Sequence, residues 1–309
     1  MQPSAVTNTT NLTASPTQFY TWQNYRCAYE VHQPVNSTSE GIPLLLIHPI
    51  GVGLSRQFWQ RFCREWYDSG QRNSIYNPDL LGCGESLMPH LAYTPNDWAD
   101  QLQYFLQTVV RQPVIVVVQG ALLPVAIQLV QKESNLIAKL VLSGPPAWAL
   151  MANKPPEWQQ KFLWNALDSP FGIPFYRYAR TPKFLRSFST RQLFASENAV
   201  DTEWLNTLVA GAENPASRHA VFSFLAGFWR DDYTNSIASI QQPTLAIMGE
   251  SASSISQKSK KETPDKRLAD YLAYLPHCQG IKINGRNVLP YESTAEFVAA
   301  IAPFINEVS

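Results

Sequence analysis

Residues 114–130, VIVVVQGALLPVAIQLV, limit the fold of this chain more than any other segment. The first five residues are β-branched, which is typical of a strand buried on both faces of a parallel sheet. After Gln119 and Gly120, the apolar positions 122, 125, 126, 129 and 130 recur at helical spacing. A buried strand therefore turns sharply into a helix, and the turn lies at Gln119 and Gly120.

Strand-like and helix-like patterns alternate along much of the chain. Short apolar runs typical of strands occur in IPLLLIHP, NSIYNPD, LIAKLVLS, PTLAIMG and QGIKING, and residues 19–31 have the alternation of a hairpin. Strands that alternate with helices indicate a parallel sheet with right-handed crossovers. In the helix-like run that follows Thr94, Asp97 is the expected N-cap.

One internal region breaks this alternation. Residues 146–240 are rich in aromatic side chains and helix-like, and they contain no good strand candidate. We therefore predict a core formed by residues 19–145 and 241–306, with a helical cap at 146–240. Residues 1–18 lack the basic start and apolar run of a signal peptide, so we expect a disordered polar tail.

Composition excludes several classes of function. Lys and Arg together number 24, as do Asp and Glu, so no overall charge attracts nucleic acid or a membrane. The four cysteines lack a C-x-x-C pair and the five histidines are scattered, so we expect neither a disulfide framework nor a metal site, and no cofactor. No segment of about 20 apolar residues suggests a spanning helix, and a soluble, cytoplasmic protein is expected.

The order of these motifs resembles the α/β-hydrolase fold superfamily from about residue 19 to 306. The segment LLLIHPIGVG is similar to the family's His-Gly oxyanion loop, although Pro49 and Ile50 separate His48 from Gly51. The segment DLLGCGES matches the family's Asp-x-x-Gly-x-Gly-x-Ser turn, and LPYESTAEFVAAIAPFI resembles the segment after its catalytic histidine. The resemblance implies a mostly parallel central sheet with helices on both faces and a helical cap insertion. It also implies a pocket and an oxyanion-like loop formed by His48, Pro49, Ile50, Gly51, Gln119 and Ala121.

The catalytic triad of that family is absent from the matching positions. Its G-x-S-x-G turn places a serine between strand and helix, where this chain has Gly120. The family's acid aligns with Ala252, and its histidine aligns with Arg286 or Asn287. Neither a guanidinium nor an amide can take a proton from a hydroxyl at neutral pH. The resemblance therefore implies an active site that has lost its catalytic residues.

A rebuilt site is the alternative. Cys83 and His48 lie near the expected site edge, but the sequence shows no base or positive group beside the thiol. For His48 we expect an ordering role in the loop. Gly51 and Gly53 could begin a dinucleotide motif, but the third glycine would fall at Arg56.

The predicted cap contains a basic and aromatic segment. Between residues 169 and 196 there is no acidic residue, and aromatic side chains alternate with basic ones. The basic residues are Arg177, Arg180, Lys183, Arg186 and Arg191. These helices either cover the pocket with their charges in solvent, or form a surface that docks on an anionic membrane or an acidic partner.

Together these patterns predict a non-catalytic α/β-hydrolase-fold protein, a pseudoenzyme. It would bind an apolar small molecule or a protein partner through the pocket and the cap, with no nucleic acid as partner. The alternative is an active hydrolase of ester-type bonds that uses an unconventional site. Peripheral contact with a membrane through the cap stays open.

Overall fold

The computed structural model describes residues 15–34, 38–254 and 262–307. Most of the predicted tail, residues 1–14, lies outside the described residues. The first strand begins at Gln18, the last residue of that predicted tail. The strands are β1 (Gln18–Trp22), β2 (Tyr25–His32), β3 (Leu44–Ile47), β4 (Ile75–Pro78), β5 (Val114–Gln119), β6 (Ile137–Ser143), β7 (Thr244–Gly249) and β8 (Cys278–Ile283).

The described residues form one eight-stranded sheet in the order β1-β2-β4-β3-β5-β6-β7-β8. Strand β2 pairs antiparallel with β1 and β4, and the neighbours from β4 to β8 are parallel. Every residue of β5 is buried. Val116 and Val118 pack into the core on one face of the sheet, and Ile115 and Val117 pack into the core on the other. The predicted sheet, mostly parallel and covered on both faces, is confirmed.

Helices follow or connect the strands. They are α1 (Gln60–Asp68), α2 (Pro95–Phe105), α3 (Leu123–Lys132), α4 (Trp148–Met151), α5 (Glu157–Leu167), α6 (Gly172–Ala179), α7 (Pro182–Phe188), α8 (Thr202–Gly211), α9 (Arg218–Leu225), α10 (Thr234–Ala238), α11 (Pro264–Tyr274), α12 (Leu289–Glu292) and α13 (Thr294–Asn306). Helices α4 to α10 lie between β6 and β7 in the sequence, and we call this segment, residues 146–240, the insert.

The N-cap predicted for α2 was wrong by three residues. Thr94 is the cap, and its hydroxyl accepts a hydrogen bond from the Asp97 N–H at 3.4 Å. The Asp97 carboxylate accepts the Thr94 N–H at 2.8 Å, which completes a capping box. Pro95 takes the first helical position, where its missing N–H costs nothing.

A buried ion cluster joins the start of the sheet to the DLLGCGES turn. The Arg56 Nε donates to Glu30 at 2.9 Å, and the guanidinium also pairs with Asp79 and Glu85. Arg56, Glu30 and Asp79 are all buried. Burial alone would raise the pKa of Glu30, but the hydrogen bond from His32 and the charge of Arg56 lower it below its ordinary value. The role of Asp79 in the DLLGCGES turn is therefore to pair with the buried Arg56.

Candidate active site

The strand-turn-helix after β5 has the backbone of a nucleophile turn. Gly120 follows the last residue of β5 with φ +61°, a left-handed conformation that L side chains rarely adopt. A Cβ added at Gly120 would meet no atom within 4 Å. The turn therefore has the strained geometry and the open space that a nucleophilic side chain would need, and it carries only a hydrogen.

The loops after β7 and β8 lie against each other at the same edge of the sheet. Ala252 is buried just after β7. Its neighbour Ser253 accepts two hydrogen bonds at its hydroxyl from Arg286, at 2.9 and 2.7 Å. The side-chain amide of Asn287 donates to the Ser253 carbonyl at 3.0 Å. Hydrogen bonds between neutral amides, a hydroxyl and a guanidinium thus connect the two loops.

Gln119 connects this pair of loops to the turn at Gly120. The Gln119 amide donates to the Asn287 carbonyl at 2.7 Å, and its oxygen accepts the Ser143 hydroxyl at 2.7 Å. The carboxyl ends of β5 and β6 are therefore tied to the loop after β8. The structure brings the neighbours of Gly120, Ala252 and Asn287 into one hydrogen-bonded group, and none of the side chains in it can act as a base at neutral pH.

Arg286 and Asn287 also hold the insert. Arg286 donates to the Arg191 carbonyl at 2.7 Å, and the Asn287 side chain donates to the Gln192 carbonyl at 2.7 Å. The Asn287 N–H adds a bond to the Leu193 carbonyl at 3.0 Å. Both residues at the candidate histidine position thus anchor a segment of the insert to the core, a role that the sequence pattern did not reveal.

His48 is saturated with hydrogen bonds to the backbone. Its Nδ1 donates to the Pro49 carbonyl at 2.8 Å, which leaves Nε2 to accept the Leu80 N–H at 3.1 Å. Burial lowers the pKa of His48, so the neutral ring is favoured. Both nitrogens are occupied, and His48 orders the loop instead of presenting a free base.

The other candidate nucleophiles are also engaged or inactivated. Burial raises the pKa of the Cys83 thiol well above its ordinary value, so the thiolate is disfavoured. The Ser143 hydroxyl donates to Gln119, and the Ser55 hydroxyl caps a helical turn by accepting the Gln57 N–H. The two serine hydroxyls therefore have hydrogen-bonding roles, and the buried Cys83 thiol is disfavoured as a nucleophile.

Close packing explains why position 53 is a glycine, so a dinucleotide-binding motif is not needed to account for it. Gly53 has φ +77°, and a Cβ there would lie 1.9 Å from the carbonyl oxygen of Leu208 in α8. In return, a Cβ at Gly211 would lie 2.2 Å from the Gly53 carbonyl oxygen. The loop after β3 and helix α8 of the insert therefore meet backbone to backbone. Earlier in this loop, Ile50 is buried, and Pro49 and Gly51 are partly exposed, as is Ala121 after the turn.

The basic residues of the insert do not share one role. Arg177, Lys183, Arg186 and Arg191 are exposed. Arg180 is only partly exposed and donates to the carbonyls of Ala212 and Glu213 just after α8, at 3.2 and 3.1 Å. Arg180 therefore stabilises a helix end and is the least suited of the five to contact a partner.

Two cavities that the structure describes lie away from this group of loops. One, of about 390 Å³, is lined by polar residues that include Glu30, Gln57 and Gln60. The other, of about 700 Å³, lies where β8 meets α13 and is lined by residues that include Ile281 and Phe304. Neither is lined by residues 48–53 or by the positions aligned with the triad, so these cavities do not supply the pocket predicted there.

Outside the aligned triad positions, the structure joins residues that sequence reasoning kept apart. His90 follows the DLLGCGES turn, Asp168 directly follows α5, and His219 lies in α9, yet their ligand atoms lie within 4.8 Å of one another. Their separation in the sequence hides the cluster, since no short metal-ligand spacing contains them.

The fold and the turn at Gly120 define an α/β-hydrolase scaffold. The sequence from residue 44 to residue 301 matches the profile described as the alpha/beta hydrolase family, and the chain belongs to that family. No curated protein matches the sequence significantly. Among the described residues, none of the helices combines the length and apolarity needed to cross a bilayer.

Solved structures with the same fold are distant in sequence. A serine hydrolase involved in carbazole degradation is 18% identical with a TM-score of 0.70, and the match covers 94% of this chain and 98% of that one. A thermophilic esterase from Thermogutta terrifontis is 17% identical with a TM-score of 0.69, covering 94% and 98%. A bromoperoxidase from Bacillus anthracis is 18% identical with a TM-score of 0.71, covering 94% and 100%. At these identities the likeness establishes the fold alone.

Proposed function

We propose that this chain is a non-catalytic member of the family, a pseudoenzyme that acts by binding. The observation that carries the proposal is Gly120, which occupies the left-handed turn after β5 with open space in place of a side chain. Acyl transfer of the family type needs a nucleophile, a base and an acid that work as a unit. Here the aligned loops offer Gly120, Ala252 and Asn287, and Asn287 is bonded to the core and the insert.

We expect the purified protein to resist labelling by a fluorophosphonate probe and to hydrolyse neither short nor long acyl esters. The reason is that no serine lies at the turn and that the Cys83 thiol is buried. Gly120→Ser should also be inactive, because Asn287 cannot take the proton of the new hydroxyl. Its folding should weaken by only about 1 kcal/mol, because the strain of a side chain at positive φ is not joined by a clash.

Two further variants complete this test. A triple variant with Gly120→Ser, Ala252→Asp and Asn287→His should be feebly active at best, since Asn287→His also removes the bond to Gln192. Ester turnover by the natural protein that disappears in His48→Gln or Cys83→Ser would refute the proposal. It would support the alternative, an active hydrolase with an unconventional site.

For the binding role, the insert offers several exposed aromatic side chains on the neighbouring helices α5 and α6. Helix α5 has no buried residue, and Trp158 and Phe162 lie one turn apart with 69% and 71% of their surface exposed. Phe171, just before α6, is 84% exposed, and Phe175 follows it one turn later. We call Trp158, Phe162, Phe171, Phe175 and Tyr178 the aromatic patch. Exposed apolar surface of this kind marks a contact site.

We propose that this patch docks on an anionic lipid surface. Arg177 and Lys183 are exposed in the same part of the insert, and residues 169–196 contain no acid to oppose them. Aromatic side chains that insert at the headgroup level and basic side chains that pair with anionic lipids reinforce each other.

We expect the protein to sediment with vesicles that contain phosphatidylserine and to remain in the supernatant with phosphatidylcholine vesicles. Trp158→Ser combined with Phe171→Ser should reduce the bound fraction at least about tenfold, since each loses a large apolar contact. The double variant Arg177→Glu and Lys183→Glu should also reduce the bound fraction, because it replaces attraction to the anionic lipids with repulsion. Leu272→Ser on α11, also an exposed apolar residue, is the matched control. Equal loss in the control, or no sedimentation, would overturn lipid docking; the latter result would favour a protein partner.

A further inference from the structure

We propose that His90, Asp168 and His219 form a binding site for one divalent transition-metal ion, with Zn²⁺ as the preferred occupant. The site joins the core to the insert, because His90 belongs to the segment between β4 and α2 while Asp168 and His219 belong to the insert. It does not include the turn at Gly120 and does not depend on the proposed binding role of the aromatic patch.

The donor atoms lie close enough together to reach one metal ion. The His90 Nε2 lies 2.8 Å from both carboxylate oxygens of Asp168. The His219 Nδ1 lies 3.4 Å from the nearer oxygen. Ligands bound tetrahedrally to Zn²⁺ at about 2.0–2.1 Å are separated by about 3.3 Å. Small side-chain rotations would therefore bring the three donors onto one ion.

An unpartnered nitrogen points to a ligand. The His219 side chain is only 4% exposed, and its Nδ1 has no hydrogen-bond partner among the described residues. A buried polar atom without a partner is unfavourable. This nitrogen lies 3.4 Å from the nearer carboxylate oxygen of Asp168, which is longer than a good N–H···O hydrogen bond. A metal ion between them would satisfy both groups.

The two segments that carry the imidazoles are held together by the surrounding structure. The rings stack with centroids 4.2 Å apart, so at least one ring must turn before both lone pairs point at one ion. The buried Tyr93 donates its hydroxyl to the Pro89 carbonyl at 2.7 Å, next to His90. The Tyr93 N–H donates to the Ser223 hydroxyl at 2.9 Å, one turn after His219 in α9. These contacts bring the loop and the helix together before any metal binds, so little order has to be gained on binding.

The donor set selects the class of metal. Two imidazole nitrogens and one carboxylate suit Zn²⁺ and other first-row transition metals, whereas Ca²⁺ and Mg²⁺ prefer sites built from oxygen. The protein supplies three ligands, and His90 is largely exposed. Water would therefore complete the coordination. For Nε2 of His90 to offer its lone pair to the metal, the ring proton must lie on Nδ1, so binding exchanges the hydrogen bond to Asp168 for a metal bond and selects one tautomer of the ring.

The test is a titration of tag-free, chelator-treated protein with ZnCl₂, followed by calorimetry, and with CoCl₂, followed by visible absorption. We expect one ion per chain. His90→Gln and Asp168→Asn should each weaken binding at least about tenfold. His277→Gln, which changes an exposed histidine outside the cluster, should have no effect. His90→Gln is the decisive variant, because the exposed side chain can be changed without disturbing the core.

A second measurement separates a built site from surface histidines. Zn²⁺ should slow amide hydrogen exchange in residues 87–94 and in α9 of the natural protein, since the ion links these segments, and it should not do so in His90→Gln. The proposal is overturned if no stoichiometric ion binds, or if His277→Gln weakens binding as much as His90→Gln. It is also overturned if binding occurs without any change in exchange at both segments.

Discussion

Arg56→Met should lower the free energy of unfolding by about 3–5 kcal/mol, one of the two largest losses that we expect from a single substitution in this chain. Arg56 is buried with the carboxylates of Glu30 and Asp79, which pair with its guanidinium. Methionine fills much of the same volume but leaves these carboxylates without their counter-charge in a poorly solvated place. Urea unfolding at neutral pH, followed by fluorescence and circular dichroism, measures the loss.

Arg64→Met is the matched control. Arg64 pairs with Glu203 at 2.8 Å, but half of its side chain is exposed. A surface pair of this kind contributes about 0–1 kcal/mol. If both variants lost the same stability, burial of the charges would not be what makes Arg56 important.

The loss caused by Arg56→Met should shrink in acid. In the natural protein the pKa of Glu30 is lowered from its ordinary value of 4.5, so the stability this group contributes is present above that pH and is lost as pH falls below it. In Arg56→Met the buried Glu30 carboxylate has lost its charged partner, which raises its pKa and favours its protonation in the folded state. The two proteins should therefore differ less near pH 4.5 than at pH 7. A difference that stays constant over this interval would contradict the electrostatic explanation.

Gly53→Ala should lower the free energy of unfolding by about 2–4 kcal/mol, because backbone strain and a steric clash act together. An L side chain at φ +77° is strained by about 1 kcal/mol, and the new methyl group would lie 1.9 Å from the Leu208 carbonyl oxygen. The obstructing atom belongs to the backbone of α8, so it cannot rotate away. The loop after β3 or the helix must shift, which also weakens the contact between the core and the insert.

Gly70→Ala separates the backbone strain at positive φ from the clash with a neighbouring atom. Gly70 has φ +86°, similar to Gly53, but a Cβ there would meet no atom within 4 Å. We expect a loss of about 1 kcal/mol from strain alone. Both variants should be compared by urea unfolding in the same buffer. Equal losses would mean that α8 moves aside at little cost and that the close backbone contact is not rigid.

Much of the fold could be predicted because its signals are local. The β-branched run of β5 is buried on both faces, and the turn at Gly120 follows it where the apolar spacing changes. The parallel sheet and its helical layers follow from such periodicities. The cap of α2 was misplaced because Thr94 and Asp97 form a reciprocal pair, and either residue alone is an acceptable N-cap.

The candidate site was only partly predictable for a different reason. Alignment with family motifs placed Gly120, Ala252, Arg286 and Asn287 at the aligned triad positions, but their new tasks depend on partners far away in the sequence. Asn287 bonds to Gln192 and Ser253, which no periodicity or spacing can reveal. Likewise, the DLLGCGES motif could be recognised in the sequence. The role of its Asp79 could not, because Asp79 pairs with Arg56 on a different segment.

The sequence by itself determined the order of strands and helices, the sharp turn after β5 and the lack of a serine there, because these depend on neighbouring residues and on residue type. Only the tertiary structure decided which side chains share an environment. It joined His90, Asp168 and His219, it placed both nitrogens of His48 against the backbone, and it buried Arg56 among carboxylates. Such contacts depend on how crossovers and the insert bring distant segments together, so the chemistry of a residue follows from its neighbours in space.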